Sequence, residues 1–253
     1  MNTPDRRSNT LPRGKTVYGA SLGILMLETR FPRIPGDVGN ALTWPFPVLY
    51  RMVQGASPDR VVRRRAEGLL KDFIDAGREL IAQGADGITT NCGFLSLFQG
   101  EMSKSLEVPV ATSSLMQMPM IQAMLPPGRR VGIITISADS LSRDHLDAAG
   151  VDPGTPVVGT ESGREFSRAI LGDEADLDVD AARLDMIDAA AALVDKHPDV
   201  GAILLECTNM VPYAADIRAR TGLPVYSIYT HLLWFQAGLQ PRRFDPWLDD
   251  LRR

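Results

Sequence analysis

Thiols and imidazoles are scarce in this chain, which has 2 cysteines and 3 histidines in 253 residues. His145, His197 and His231 lie on or beside expected helices without metal-ligand spacing, and no Cys/His group forms a zinc pattern. A phosphate-cradling loop is also missing: Gly19 and Gly23 punctuate an apolar run without the dinucleotide fingerprint. No serine stands in a nucleophile-elbow motif. No apolar run approaches the ~18 residues a membrane-spanning helix needs. Positive charge is not in excess, with 27 Lys and Arg against 31 Asp and Glu, so a nucleic-acid partner is not expected. The single basic cluster, Arg60 with Arg63, Arg64 and Arg65, reads as a solvated helix face. These absences leave the chain without a metal-ligand, dinucleotide or serine-nucleophile motif.

Residues 1–15 are polar, carry Pro4, Pro12 and Gly14, and lack the apolar stretch of a signal peptide, so they read as a disordered leader. A cytoplasmic location is the expectation, with thiols kept reduced; a Cys92–Cys207 disulfide is the alternative. The remainder is ordinary globular material, 44% hydrophobic and 23% charged. Strand-like apolar runs alternate with helical spacing along it. Expected strands cover 17–27, 48–53, 86–90, 108–112, 130–136, 157–159, 201–205 and 225–228. Expected helices cover 58–83, 94–106, 140–149, 181–196, 211–221 and 232–238, with one more between Ser113-Ser114 and Pro126. Ser137 and Asp139 suit the cap of helix 140–149. Residues 28–47 form a long Pro- and Gly-rich loop without periodicity, of a length that tends to carry function.

Such alternation implies α/β architecture with mainly parallel sheets wrapped by helices. Two lobes fit the length better than one eight-stranded barrel. The division expected is 16–115 plus 223–253 for the first lobe and 116–222 for the second, with Pro126-Pro127-Gly128 marking the crossing.

The two cysteines occupy matching surroundings. Each follows a short apolar run, and each precedes a helical segment and then a second apolar run opening with Pro-Val. Pro109 lies 17 positions after Cys92, and Pro224 lies 17 positions after Cys207. This is a strand–Cys–helix–strand unit repeated. In open α/β sheets ligands bind beyond the C-terminal strand ends, where both cysteines fall. A helix start beside a thiol favours its thiolate form. A pair of opposed thiols can move a proton between the two faces of a carbon.

Polar residues gather at the same ends: Asn91 and Gly93 around Cys92, Thr208 and Asn209 after Cys207, and Ser113 and Thr135 at neighbouring strands. They are candidates to hold a substrate carboxylate and an enolate-like charge. Arg30 and Arg33, in the long loop, are candidates to pair with a carboxylate. The expected partner is therefore a small carboxylate. A homo-oligomer is compatible with these features, though none requires one.

The segments Ile88-Thr89-Thr90-Asn91-Cys92-Gly93-Phe94 and Leu204-Leu205-Glu206-Cys207-Thr208-Asn209-Met210 resemble the aspartate/glutamate racemase superfamily. That superfamily includes hydantoin racemases, maleate isomerases and arylmalonate decarboxylases, and the resemblance runs from Tyr18 to about Gly238. It implies two pseudo-symmetric α/β lobes, a cleft between them, one catalytic cysteine from each lobe (Cys92 and Cys207), and no cofactor. The chain departs from glutamate racemases in placing Gly93-Phe94 after the first cysteine and Asn209 two places after the second. An acidic residue near the first strand is typical of amino-acid racemases, and Glu28 is the nearest candidate. Arylmalonate decarboxylases lack the first cysteine, so keeping both argues against decarboxylation. The resulting expectation is a cofactor-independent racemase or epimerase acting at a carbon next to a carboxylate or carbonyl. Its alternatives are cis–trans isomerisation of a dicarboxylate and non-catalytic binding of a small molecule.

Overall fold

The computed structural model describes residues 14–242 and Phe244. The expected leader therefore lies almost wholly outside the described residues. Among the described residues, eight strands form two separate parallel sheets. The first contains β1 (Leu22–Leu27), β2 (Val48–Val53), β3 (Gly87–Thr90) and β4 (Val110–Ala111) in the order β2-β1-β3-β4. The second contains β5 (Arg130–Thr135), β6 (Val157–Gly159), β7 (Val200–Leu205) and β8 (Val225–Tyr226) in the order β6-β5-β7-β8. The same order appears twice, and no barrel closes.

The repeat read from the cysteines extends to the hydrogen bonds. Ile88 N–H donates to the Pro109 carbonyl at 3.0 Å, and Ile203 N–H donates to the Pro224 carbonyl at 2.9 Å. Each proline thus starts the edge strand at the same register. The central strands are apolar because helices cover both faces: Leu22, Ile24 and Leu25 in β1 and Ile133 and Ile134 in β5 are fully buried.

Eight α-helices wrap the sheets: α1 (Leu70–Gln83), α2 (Gln99–Ser105), α3 (Met118–Met124), α4 (Arg143–Ala148), α5 (Phe166–Leu171), α6 (Val179–Lys196), α7 (Ala214–Thr221) and α8 (Ile228–Leu239). The helix expected over 58–83 is broken. A π-helical turn covers Asp59–Arg63, then Arg65, Ala66 and Gly68 take positive φ before α1 begins. Helix α4 starts later than expected and is capped by Ser142, whose side chain and that of His145 satisfy each other's backbone N–H groups. Ser137 instead bonds Ser140 at 2.8 Å. Helix α5, too short to show periodicity, was not expected.

One lobe boundary shifts. Strand β8 pairs with β7, so the second sheet keeps the chain through Tyr226, and the return to the first lobe comes after it, not at 223. Helix α8, capped by Ser227, makes that return: Ile228 and Leu232 share a core with Leu22, Ile24, Val38 and Trp44. Among the described residues no helix is long and apolar enough to cross a membrane.

Candidate active site

Both cysteines stand at the same station of the repeat. Beyond β3, Asn91 N–H donates to the Leu25 carbonyl at 3.0 Å; beyond β7, Glu206 N–H donates to the Ile134 carbonyl at 2.9 Å. The next residue in each case is the cysteine, in extended backbone, heading a 3-10 helix: Gly93–Phe98 after Cys92 and Thr208–Tyr213 after Cys207. The first turns close alike, Leu95 N–H to Cys92 and Met210 N–H to Cys207, both at 3.1 Å. An extended residue followed at once by a tight helical turn holds its side chain above the sheet edge. Both thiols are free and buried.

They line one pocket with Leu27, Phe31, Arg33, Phe94, Ile136, Glu206 and Asn209. The pocket's enclosed space is about 20 Å³, and a single water needs roughly 10–15 Å³. Mostly apolar walls disfavour charge. Burial, with the Glu206 carboxylate next in importance, pushes the Cys92 thiol up to about 12, and the same two causes push Cys207 well above its ordinary value. Helix-start N–H groups of Phe94 and Leu95 pull Cys92 the other way but do not prevail. As the site stands, the thiols are neutral.

Asn91 and Glu206 are counterparts in the repeat but are satisfied differently. Asn91 Oδ1 accepts from Leu27 N–H at 2.8 Å. Glu206 is fully buried; Oε2 accepts from the Thr135 hydroxyl at 2.8 Å, while Oε1 has no partner. Burial raises its carboxyl to about 8. Opposite lies a network from the long loop. Asp37 is buried and accepts from Arg33 at 2.8 Å and from Asn209 Nδ2; the Cys207 thiol reaches Asn209 Oδ1 at 3.4 Å. Arg33 also donates to Thr29 at 2.9 Å and covers the Phe31 ring at 4.6 Å.

Of the residues singled out from sequence, Cys92, Cys207, Asn91, Gly93, Asn209 and Arg33 line the pocket. Four others do not. Arg30 is exposed and pairs with Asp173 of the other lobe at 3.3 Å. Ser113 caps the 3-10 helix Ser114–Gln117. Thr208 binds the Asn91 carbonyl across the lobes at 2.5 Å. Thr135 stands behind Glu206. Glu28 binds Gly55 N–H at 2.8 Å and stays outside the pocket. The acidic groups that reach the site are Asp37 and Glu206, which the sequence reading missed. For Glu206 one signal was available: a carboxylate at a buried strand end directly before a candidate catalytic thiol.

Two α/β lobes with matching strand orders, each giving one buried cysteine to a shared pocket, define the class: a two-lobed fold of the racemase type. The model of the Asp/Glu/hydantoin racemase family matches residues 75–234, and the chain belongs to that family. The chain is 31% identical over 242 residues to a dimethylsulfoniopropionate lyase of Durusdinium sp. clade D, covering 92% of this chain and 80% of the relative. It is 32% identical over 238 residues to dimethylsulfoniopropionate lyase 7 of Emiliania huxleyi (strain CCMP1516), covering 87% and 67%. Among solved structures, a Gly-to-Cys mutant of arylmalonate decarboxylase superposes with a TM-score of 0.60 at 17% identity, covering 89% of this chain and 96% of that one. Glutamate racemase RacE1 from Bacillus anthracis gives 0.55 at 13% identity, covering 88% and 85%.

Proposed function

We propose that this protein is a lyase that removes the proton next to the carboxylate of dimethylsulfoniopropionate and expels dimethyl sulfide. The observation that carries the reading is the pair of buried thiols facing one small, mostly apolar pocket, in a chain 31% identical to a lyase of that substrate. The reaction takes the α-proton onto a cysteine sulfur. The C–H electron pair becomes the new C=C bond, the C–S bond breaks with its electrons leaving on sulfur, and acrylate remains. No cofactor enters this balance.

The charge of the substrate addresses the main obstacle. A thiol pushed up by burial and by Glu206 becomes a thiolate more readily when a positive charge lies within a few ångströms. The sulfonium brings that charge, so the thiol gives up its proton to solvent as the substrate arrives, and the thiolate left behind is the base that takes the α-proton. Exclusion of water then keeps the thiolate and the developing negative charge from being stabilised by solvent in place of the site.

The test is release of dimethyl sulfide and acrylate by purified protein, with Cys92→Ser and Cys207→Ser beside it. Each substitution is nearly isosteric and is expected to lower turnover by roughly 10³-fold with an unchanged circular dichroism spectrum. Full activity in either variant would sink the assignment of that thiol.

The second thiol favours a second reading. Elimination needs one base, whereas inversion at a carbon needs a proton taken from one face and returned on the other. If no dimethyl sulfide appears but aspartate, glutamate or a hydantoin loses optical rotation and exchanges its α-proton in D2O, the two-thiol racemase reading replaces the lyase.

A further inference from the structure

We propose that Glu206 is the cation-recognising residue of the pocket, its free Oε1 facing the sulfonium or a comparable onium group of the ligand. This rests on the lyase reading for the identity of the ligand, and on geometry for the site. Among the pocket-lining carboxylate and amide side chains, Asn91 uses its oxygen on Leu27 N–H, and Asn209 is held between Cys207 and Asp37. Glu206 alone of these keeps a buried oxygen unpartnered. A buried polar atom without a partner costs roughly 5-fold to over 100-fold in an equilibrium, depending on its surroundings, so a ligand that satisfies it gains accordingly.

Three further features agree. Gly93 is the residue whose missing side chain admits Glu206: a Cβ there would collide with Glu206 Oε1 and with its carbonyl oxygen. Phe94 lines the same pocket and can receive the charged S-methyl groups against its ring. Arg33 gives one N–H bond each to Asp37 and Thr29, and its remaining donors can meet the ligand's carboxylate. Once the pocket widens beyond its present space of about 20 Å³ to admit it, a zwitterion spans from Arg33 to Glu206.

The titratable and charged groups around Glu206 are Cys92 and Cys207, with Arg33 and its partner Asp37 on the loop wall. Because the Glu206 carboxyl holds its proton up to about 8, cation affinity should climb about tenfold per pH unit below that point and level off above it.

The test uses a calorimetric titration of the full chain with β-alanine betaine, an ammonium analogue without a good leaving group, and with 4,4-dimethylpentanoate, its tert-butyl isostere that keeps the carboxylate and lacks the positive charge. The unmodified protein should favour the cation by tenfold or more, with the pH dependence just given. Glu206→Gln keeps the volume and the Thr135 contact; it should erase the preference and the pH dependence while isostere binding holds within about twofold. Glu206→Asp should retain part of the preference. An unchanged preference in Glu206→Gln, or a parent protein that favours the isostere, overturns the proposal. So does loss of turnover with the preference intact, since Glu206 would then be carrying the proton. Cation preference without dimethyl sulfide release would sink the lyase reading and leave the cation site standing.

Discussion

Gly93 has no room for a side chain, and the reason lies in the other lobe. A Cβ at this position meets Glu206, from the end of β7, closer than any van der Waals contact allows. Gly93→Ala is therefore expected to cost about 1–3 kcal/mol by overpacking, read from urea unfolding, and to displace the carboxylate, read as weaker cation binding. A variant as stable as the parent would show that the seam yields. The cysteines were legible in the sequence because each is flanked by an apolar run and a proline at a matching distance. Glu206 was legible only through its place before a candidate thiol, because an acid beside a strand end ordinarily faces water. Its burial depends on a glycine from the opposite half of the chain. Arg30 and Arg33 look alike in sequence, three positions apart, yet one pairs with Asp173 at the surface and the other enters the pocket.

Length alone marked the loop from Glu28 to Pro47 as a candidate for function, and its internal order was not legible. It is organised around Asp37, which accepts from Arg33, from Gly39 N–H at 2.7 Å, and from Asn209 of the second lobe. Gly36, at φ +103°, brings the loop backbone against Pro212, where a Cβ would lie 3.1 Å from that residue's ring and backbone. Trp44 pins the far end between Phe46 and Tyr229. Removing the Asp37 carboxylate strands several buried donors, so Asp37→Ala should lose roughly 1–3 kcal/mol. It should also raise KM for the substrate and speed proteolysis between residues 28 and 40. If stability falls but KM does not move, the loop is structural only. Helix ends were the least legible elements. Helices α2, α3 and α7 each follow a 3-10 helix that shares their apolar spacing, and the break at Arg65–Gly68 falls inside a continuous helical pattern.

At the scale of the molecule, the two-lobed plan was readable because fully covered parallel strands must be apolar, and eight such runs alternate with helices. Membership of β8 was not, since a two-residue strand before a glycine-free turn gives no sign of which sheet receives it. Glu206 also leaves a mark on global stability. Its folded carboxyl holds a proton up to about 8, against an ordinary value of 4.5. Between these values the unfolded chain has released a proton that the folded one retains. Raising the pH through that window therefore lowers stability, by up to about 1.4 kcal/mol per pH unit. Relative to the parent, Glu206→Gln should gain stability steadily over that range in denaturant titrations. A constant difference across pH would refute the buried-acid assignment.

The lobes meet through a particular kind of bond. Ser96 donates to the His145 carbonyl, Ser114 to that of Leu205, Thr208 to that of Asn91, and Gln117 to that of Ser227. In every case a side chain on one element addresses main chain on another. Such a bond constrains the identity of one residue only, because every amino acid supplies the same carbonyl. The acceptor residues of these four bonds are thus released from any need to change in concert, unlike the Arg30–Asp173 and Asp37–Asn209 pairs that also cross the seam. At each of these four acceptor positions the side chain can be exchanged while the two halves stay in register.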